Sequence, residues 1–136
     1  MPHIIIEYSN NVEDKIELDK LIEIVHSTAI KTGVFPLGGL RVRCARRDHY
    51  KIADGHPDNG FVHLELKIGP GRNQETKIGA LKKIFSAVEE FLKPIHENGP
   101  LAMSAELNEF DGELRINKNN MHKYLEERAN ASNFEK

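Results

Sequence analysis

The spacing of apolar residues changes several times along the first half of the chain, and each change predicts a new element. An isoleucine-rich run at 3–8 predicts a strand. Apolar positions three and four apart over 18–29 predict a helix, which Gly33 ends because glycine tolerates a left-handed conformation. A second strand is predicted at 40–45. The Gly-, Pro-, Asp- and Asn-containing stretch at 51–60 predicts a loop.

The same order of elements follows in the second half. Residues 61–68 alternate well enough to predict a strand, and Asn73 is a plausible N-cap for the next helix. One apolar face over 78–92 predicts that helix, which we expect Pro94 to end or kink. A fourth strand is predicted at 102–109.

The repeated order predicts a single α+β domain, 1–136, built from two β-α-β halves at about 2–50 and 61–109. Because β-α-β crossovers are right-handed, two such units place both helices on one face of a four-stranded mixed sheet. The open face of that sheet would need a cover, most simply other subunits. The remaining segment, 110–136, predicts a short helix around Met121 before it becomes polar.

Composition narrows the function classes. The 136 residues carry a formal charge of −2, which argues against a general nucleic-acid binder. Cys44 is the single cysteine, so no disulfide can form within the chain. The first apolar run, 4–6, is too short for a secretory leader or a membrane span. We therefore expect a cytoplasmic protein that does not bind membranes.

Pro2 is the first candidate for chemistry. Removal of Met1 would expose a secondary amine at the start of a strand, with its direction fixed by the ring. The pKa of a free α-amino group is about 8 in peptides, and burial or nearby cations lower the pKa of an amine. Such a group suits general acid–base catalysis. Met-Pro is nevertheless a common start, and alone it favours no function.

Three arginines are candidates for binding an anionic substrate. Arg41 and Arg43 share one face of the second predicted strand, and the guanidinium fork fits a carboxylate. Taken alone, these two arginines are explained more simply by a solvated strand face or by intersubunit ion pairs. Arg72 follows Gly69-Pro70-Gly71, at a strand end where ligands tend to bind. An ordinary surface turn is the alternative there.

The seven histidines do not form a metal motif. No pair has the H-x-x-x-H or H-x-H spacing of a metal site, and no glycine-rich phosphate loop is present. We therefore expect neither a metal nor another cofactor.

Taken together, these residues resemble the 5-carboxymethyl-2-hydroxymuconate isomerase family of the tautomerase superfamily. The resemblance extends from Pro2 to about Leu125. The matching segments are PHIIIE from Pro2, TGVFPL from Thr32, LRVR from Leu40, ADG from Ala53, FVH from Phe61, LKIGPGR from Leu66 and NNMH from Asn119.

The resemblance implies a tautomerase-like fold, a homotrimer and a small polycarboxylate substrate. It implies that Pro2 is the acid–base catalyst and that Arg41 and Arg72, with Arg43 as a further candidate, bind the substrate. The implied reaction converts an enol-bearing muconate into its conjugated keto isomer in the breakdown of 4-hydroxyphenylacetate through homoprotocatechuate.

Two other functions remain open at this stage. One is another proline-dependent enzyme, such as a phenylpyruvate-type tautomerase or a dehalogenase-like relative. The other is a non-catalytic β-α-β assembly module. In the second half, Ala105 and Leu107 fall opposite Arg41 and Arg43, so we expect only the first half to be catalytic.

Overall fold

A computed structural model describes residues 2–134 of the chain. Four strands and three α-helices follow one another in these residues, with short 3₁₀ turns at Asn10–Lys15 and Gly112–Leu114. In chain order the elements are β1 (His3–Ser9), α1 (Leu18–Lys31), β2 (Arg41–Arg47), β3 (Gly60–Ile68), α2 (Gln74–Asn98), β4 (Leu101–Glu109) and α3 (Met121–Phe134).

The four strands form one sheet in the order β2-β1-β3-β4. Within each half the strands are parallel, β1 with β2 and β3 with β4. The two halves meet at the centre, where β1 pairs antiparallel to β3, with His3 opposite Lys67 and Tyr8 opposite Val62. The start of β1 therefore lies beside the end of β3, and this adjacency positions the candidate site.

The core lies between one face of the sheet and the two long helices. Alternate residues of the central strands are buried, as the period of two predicts. The buried helix residues recur at helical spacing, which confirms both predicted apolar faces except for Ile78, which is 42% exposed, and Phe85, which is half-buried outside the core cluster. The main contributors are Ile4, Ile6, Leu64, Leu66 and Ile68 from the sheet, and Leu21, Val25, Ile84, Val88 and Leu92 from the helices.

The predicted start of α2 is confirmed, and of the two effects expected at Pro94 the structure excludes an end of the helix. The Asn73 side chain accepts a hydrogen bond from the Thr76 backbone N–H at 2.8 Å, which confirms the N-cap. The helix does not end at Pro94 but continues to Asn98. Proline removes one backbone hydrogen bond, and the packing of Ile95 against the core favours continuation of the helix.

The C-terminal helix is longer than expected. Residues 121–134 are all helical, whereas the sequence predicts only a short helix around Met121. Across the described residues, no helix combines the length and apolar character needed to cross a membrane.

Candidate active site

A cavity of about 400 Å³ opens at the end of the sheet where β1 begins and β3 ends. Three parts of the chain form its walls: the start of β1 with the turn before β2, the turn after β3, and the segment that precedes α3. The lining residues are Pro2, Val34, Pro36, Gly39, Ile68, Gly69, Pro70, Arg72, Arg115, Asn117, Asn119 and His122.

Pro2 lies in the first wall and is buried. Its carbonyl accepts a hydrogen bond from the Arg41 backbone N–H at 3.4 Å, which extends the β1–β2 ladder by one residue. Because β1 is a central strand, pairing on both sides fixes the direction in which it starts. The sheet therefore holds residue 2 against the cavity.

Arg72 reaches the same cavity from the turn that links β3 to α2. Gly71 in this turn has φ of +117°, a conformation that residues with a side chain rarely adopt. The turn directs the chain into the Asn73 cap and leaves Arg72 exposed at the cavity. The structure thus brings together Pro2 and Arg72, two of the candidates from the sequence.

Arg41 and Arg43 are not among the described residues that line this cavity. They share one face of β2, as predicted, and each guanidinium contacts the His3 ring, at 3.2 Å from Nε2 and 3.1 Å from Nδ1. Arg41 also lines a smaller hollow of about 180 Å³, which borders the cavity at Asn119. Their predicted role in substrate binding remains a prediction.

The His3 ring lies between two guanidinium groups on the open face of the sheet. Burial, and then the charges of Arg41 and Arg43, lower the pKa of its imidazole. A neutral imidazole offers a single acceptor nitrogen, so only one of the two guanidinium contacts is a hydrogen bond. Two cations are therefore held beside one neutral ring.

The third wall comes from a segment that the sequence did not assign to the site. Asn119 anchors it, because its side-chain N–H donates to the Gly38 carbonyl at 2.7 Å. The same side chain accepts from the Met121 backbone N–H at 2.9 Å, which forms an Asx turn immediately before α3. These bonds bring Arg115 and His122 to the cavity. The NNMH resemblance was a signal for this segment, but nothing local pointed to Arg115.

The His122 ring lies directly over Gly38. A Cβ built on Gly38 would meet three atoms of the imidazole at 2.5–2.8 Å, closer than real side chains approach. Gly38 is itself buried in the turn before β2. The absence of a side chain at this position is what allows the imidazole to pack against the turn.

The cavity is suited to an anion. Two guanidinium groups and one imidazole line it, with no carboxylate among the lining residues in the described range 2–134. Over the same range no group of three His, Cys, Asp or Glu side chains is arranged to hold a metal ion. The lining therefore favours the binding of a negatively charged molecule.

A family model and a curated relative both match this chain to one isomerase family. A family model described as 5-carboxymethyl-2-hydroxymuconate isomerase matches residues 2–125. The chain is 37% identical over 122 residues to a 5-carboxymethyl-2-hydroxymuconate Delta-isomerase from Escherichia coli, which covers 90% of this chain and 97% of that protein.

Solved structures agree with this match. A 5-carboxymethyl-2-hydroxymuconate isomerase from Deinococcus radiodurans R1 superposes with a TM-score of 0.85 at 31% identity, covering 91% of this chain and 93% of that one. A macrophage migration inhibitory factor-like protein from Entamoeba histolytica has a TM-score of 0.58 at 11% identity, covering 86% and 95%. The second likeness concerns the fold alone, which is the tautomerase-like fold expected from the sequence.

Proposed function

Because this chain belongs to the 5-carboxymethyl-2-hydroxymuconate isomerase family, we propose that its cavity converts that muconate from the enol to the conjugated keto form. The reaction breaks the enol O–H bond and forms a C–H bond at the far end of the diene, while the double bonds shift to give a ketone. The proton lost from the hydroxyl is balanced by the proton gained at carbon, so the reaction needs no other reactant than one proton carrier. The observation that supports the proposal most is that Pro2 and Arg72 line one cavity with no carboxylate among its described lining residues.

Pro2 is the proton carrier in this mechanism. Its amine takes the hydroxyl proton, and the resulting ammonium returns a proton to carbon, so one group serves as both base and acid. The role requires removal of Met1, since the nitrogen of Pro2 is otherwise an amide. Burial of Pro2 keeps water away from the charge that develops during the transfer.

The arginines bind the carboxylates of the substrate. Arg72 is in the cavity with Pro2, and a guanidinium there also stabilises negative charge as it spreads along the diene. Arg41 is adjacent to Pro2 through the backbone and lines the neighbouring hollow. We assign Arg41 and Arg43 a supporting role, in which their charges attract the anion toward the cavity.

We also propose that the protein is a homotrimer, with the open face of the sheet as the contact surface. On this face Arg41 and Arg43 lie on the β2 edge, whereas Glu106 lies on the opposite edge, β4. Opposite charges at the two edges would attract one copy to the next, with Glu106 also bonded to His63 of its own chain at 3.0 Å. Sedimentation equilibrium should give three times the 15.4 kDa chain mass, and a monomer mass would contradict the assembly.

The experiment for the function follows the ultraviolet absorbance of 5-carboxymethyl-2-hydroxymuconate after addition of protein with Met1 removed. We expect faster conversion of the enol than in buffer, and no such acceleration with phenylpyruvate as substrate. Activity on phenylpyruvate alone would identify a different tautomerase, and activity on neither would favour an assembly module. We further propose that the enzyme acts in the cytoplasm, in the breakdown of 4-hydroxyphenylacetate through homoprotocatechuate.

A further inference from the structure

Arg115 provides a second guanidinium to the cavity from outside the sheet. Its guanidinium carbon lies 5.3 Å from the centroid of the Phe110 ring. Its Nη1 atom lies 3.2 Å from the point that a Cβ on Gly69 would occupy. Phe110 is fixed in turn, because its backbone N–H donates to the Ile68 carbonyl at 2.8 Å. The charged group is thus held at the end of β3, over a residue without a side chain.

No carboxylate neutralises the charge of Arg115 within the described part of the chain, where its charged contact is with the Phe110 ring. Neither Arg115 nor Arg72 forms an ion pair among residues 2–134. At the other end of β2 the situation is different, since Arg46 pairs with Glu13 and Asp48, and Arg47 pairs with Glu7. The two arginines at the cavity thus differ from Arg46 and Arg47, whose charges are neutralised by carboxylates.

From this we infer that Arg115 binds the side-arm carboxylate of the substrate and selects a tricarboxylate over a dicarboxylate. The inference rests on the proposed function, in which the reacting muconate chain lies between Pro2 and Arg72. That substrate carries a carboxymethyl arm in addition to the two carboxylates of the muconate. Arg115 lies on the wall formed by the C-terminal segment, whereas Pro2 and Arg72 lie on the other two walls, so a branch of the substrate can reach it while the chain lies between those two residues.

The test compares two substrates that differ only in the arm, 5-carboxymethyl-2-hydroxymuconate and 2-hydroxymuconate. For R115Q we expect KM for the tricarboxylate to rise about 10- to 100-fold, as for loss of one partner of a charged hydrogen-bonded pair. We expect kcat to remain within about threefold and kcat/KM for the dicarboxylate to be nearly unchanged. R115K should restore part of the affinity, since it keeps the charge and loses the fork.

Two further measurements test whether the effect of R115Q is specific to the side-arm carboxylate and to this position. Competitive inhibition by tricarballylate and by glutarate gives the same comparison without turnover, and only the former should weaken in R115Q. K118Q removes one positive charge from the same segment at a residue outside the cavity lining, so it should leave both substrates unaffected. Thermal unfolding of each variant verifies that the fold is intact.

The possible failures are distinguishable. Equal losses on the two substrates in R115Q, or no loss on either, would overturn the role of Arg115 while leaving the proposed function in place. An effect of K118Q equal to that of R115Q would also overturn it, because overall charge would then explain the affinity. An inactive parent protein would overturn the proposed function and this inference together.

Discussion

Replacing Pro2 with alanine should lower kcat by about 10²- to 10⁴-fold, the usual contribution of a positioned acid–base group. Alanine still presents an α-amino group after Met1 is removed, but it lacks the ring that fixes the direction of the nitrogen. The sheet should be unaffected, because the contact from the Arg41 N–H is to the backbone carbonyl, which alanine retains. Steady-state absorbance kinetics measure the loss, and chemical denaturation measures the stability.

Pro100 offers a matched control for this substitution. It also precedes a strand, β4, and its carbonyl accepts a hydrogen bond from the neighbouring Gly60 N–H at 3.1 Å. It lies at the opposite end of the sheet from Pro2. Pro100→Ala should therefore retain the parent kcat, and equal kcat values for the two variants would exclude Pro2 as the proton carrier. Intact mass of each preparation verifies that Met1 is absent.

Replacing Arg72 with glutamine should lower kcat/KM by about 10²-fold, since removing one partner of a charged pair in a binding site costs about 3 kcal/mol. Glutamine keeps much of the length of the side chain and its ability to hydrogen-bond, but not the charge or the fork. The fold should tolerate the change, because Arg72 is exposed and forms no ion pair within residues 2–134. Initial rates over a range of substrate concentrations measure the effect.

Two variants show whether the effect of Arg72 is specific. Arg128→Gln removes the same charge from an exposed position of α3 that does not line the cavity, and it should behave like the parent. Arg72→Lys should fall between parent and glutamine variant, because a point charge replaces the planar fork. A loss in Arg128→Gln as large as in Arg72→Gln would mean that long-range charge, rather than contact, explains the result.

The fold was largely predictable because its signals are local. Strand alternation, helix spacing and the Asn73 cap each depend on residues within one element, and those predictions are confirmed. Pro94 was expected to end or kink α2, and the helix does not end there for a physical reason that is not local. Whether a helix continues past a proline depends on what the next turn packs against, and here Ile95 packs on the core.

The candidate site was predictable only in part. Pro2 and Arg72 stood out because each adjoins a strand end, and the antiparallel pairing of β1 with β3 brings those two ends together. The strand pattern predicted the face of the sheet on which Arg41 lies. It did not predict that Arg41 lines the smaller hollow and not the cavity. Arg115 and His122 approach Pro2 across more than a hundred residues of chain, and no periodicity in the sequence encodes that approach.

The attachment of the third wall has a consequence for the dynamics of the molecule. Apart from the half-buried Leu125, the side chains described between 121 and 131 are exposed, so this helix buries little apolar surface of its own. Its hold on the remainder of the chain comes mainly from Asn119 and His122 at Gly38. Segments with few buried contacts open with a smaller free energy than the global unfolding of the core. We therefore expect the backbone amides of α3 to exchange with solvent faster than those of β1, as the cavity loses and regains this wall without unfolding of the sheet.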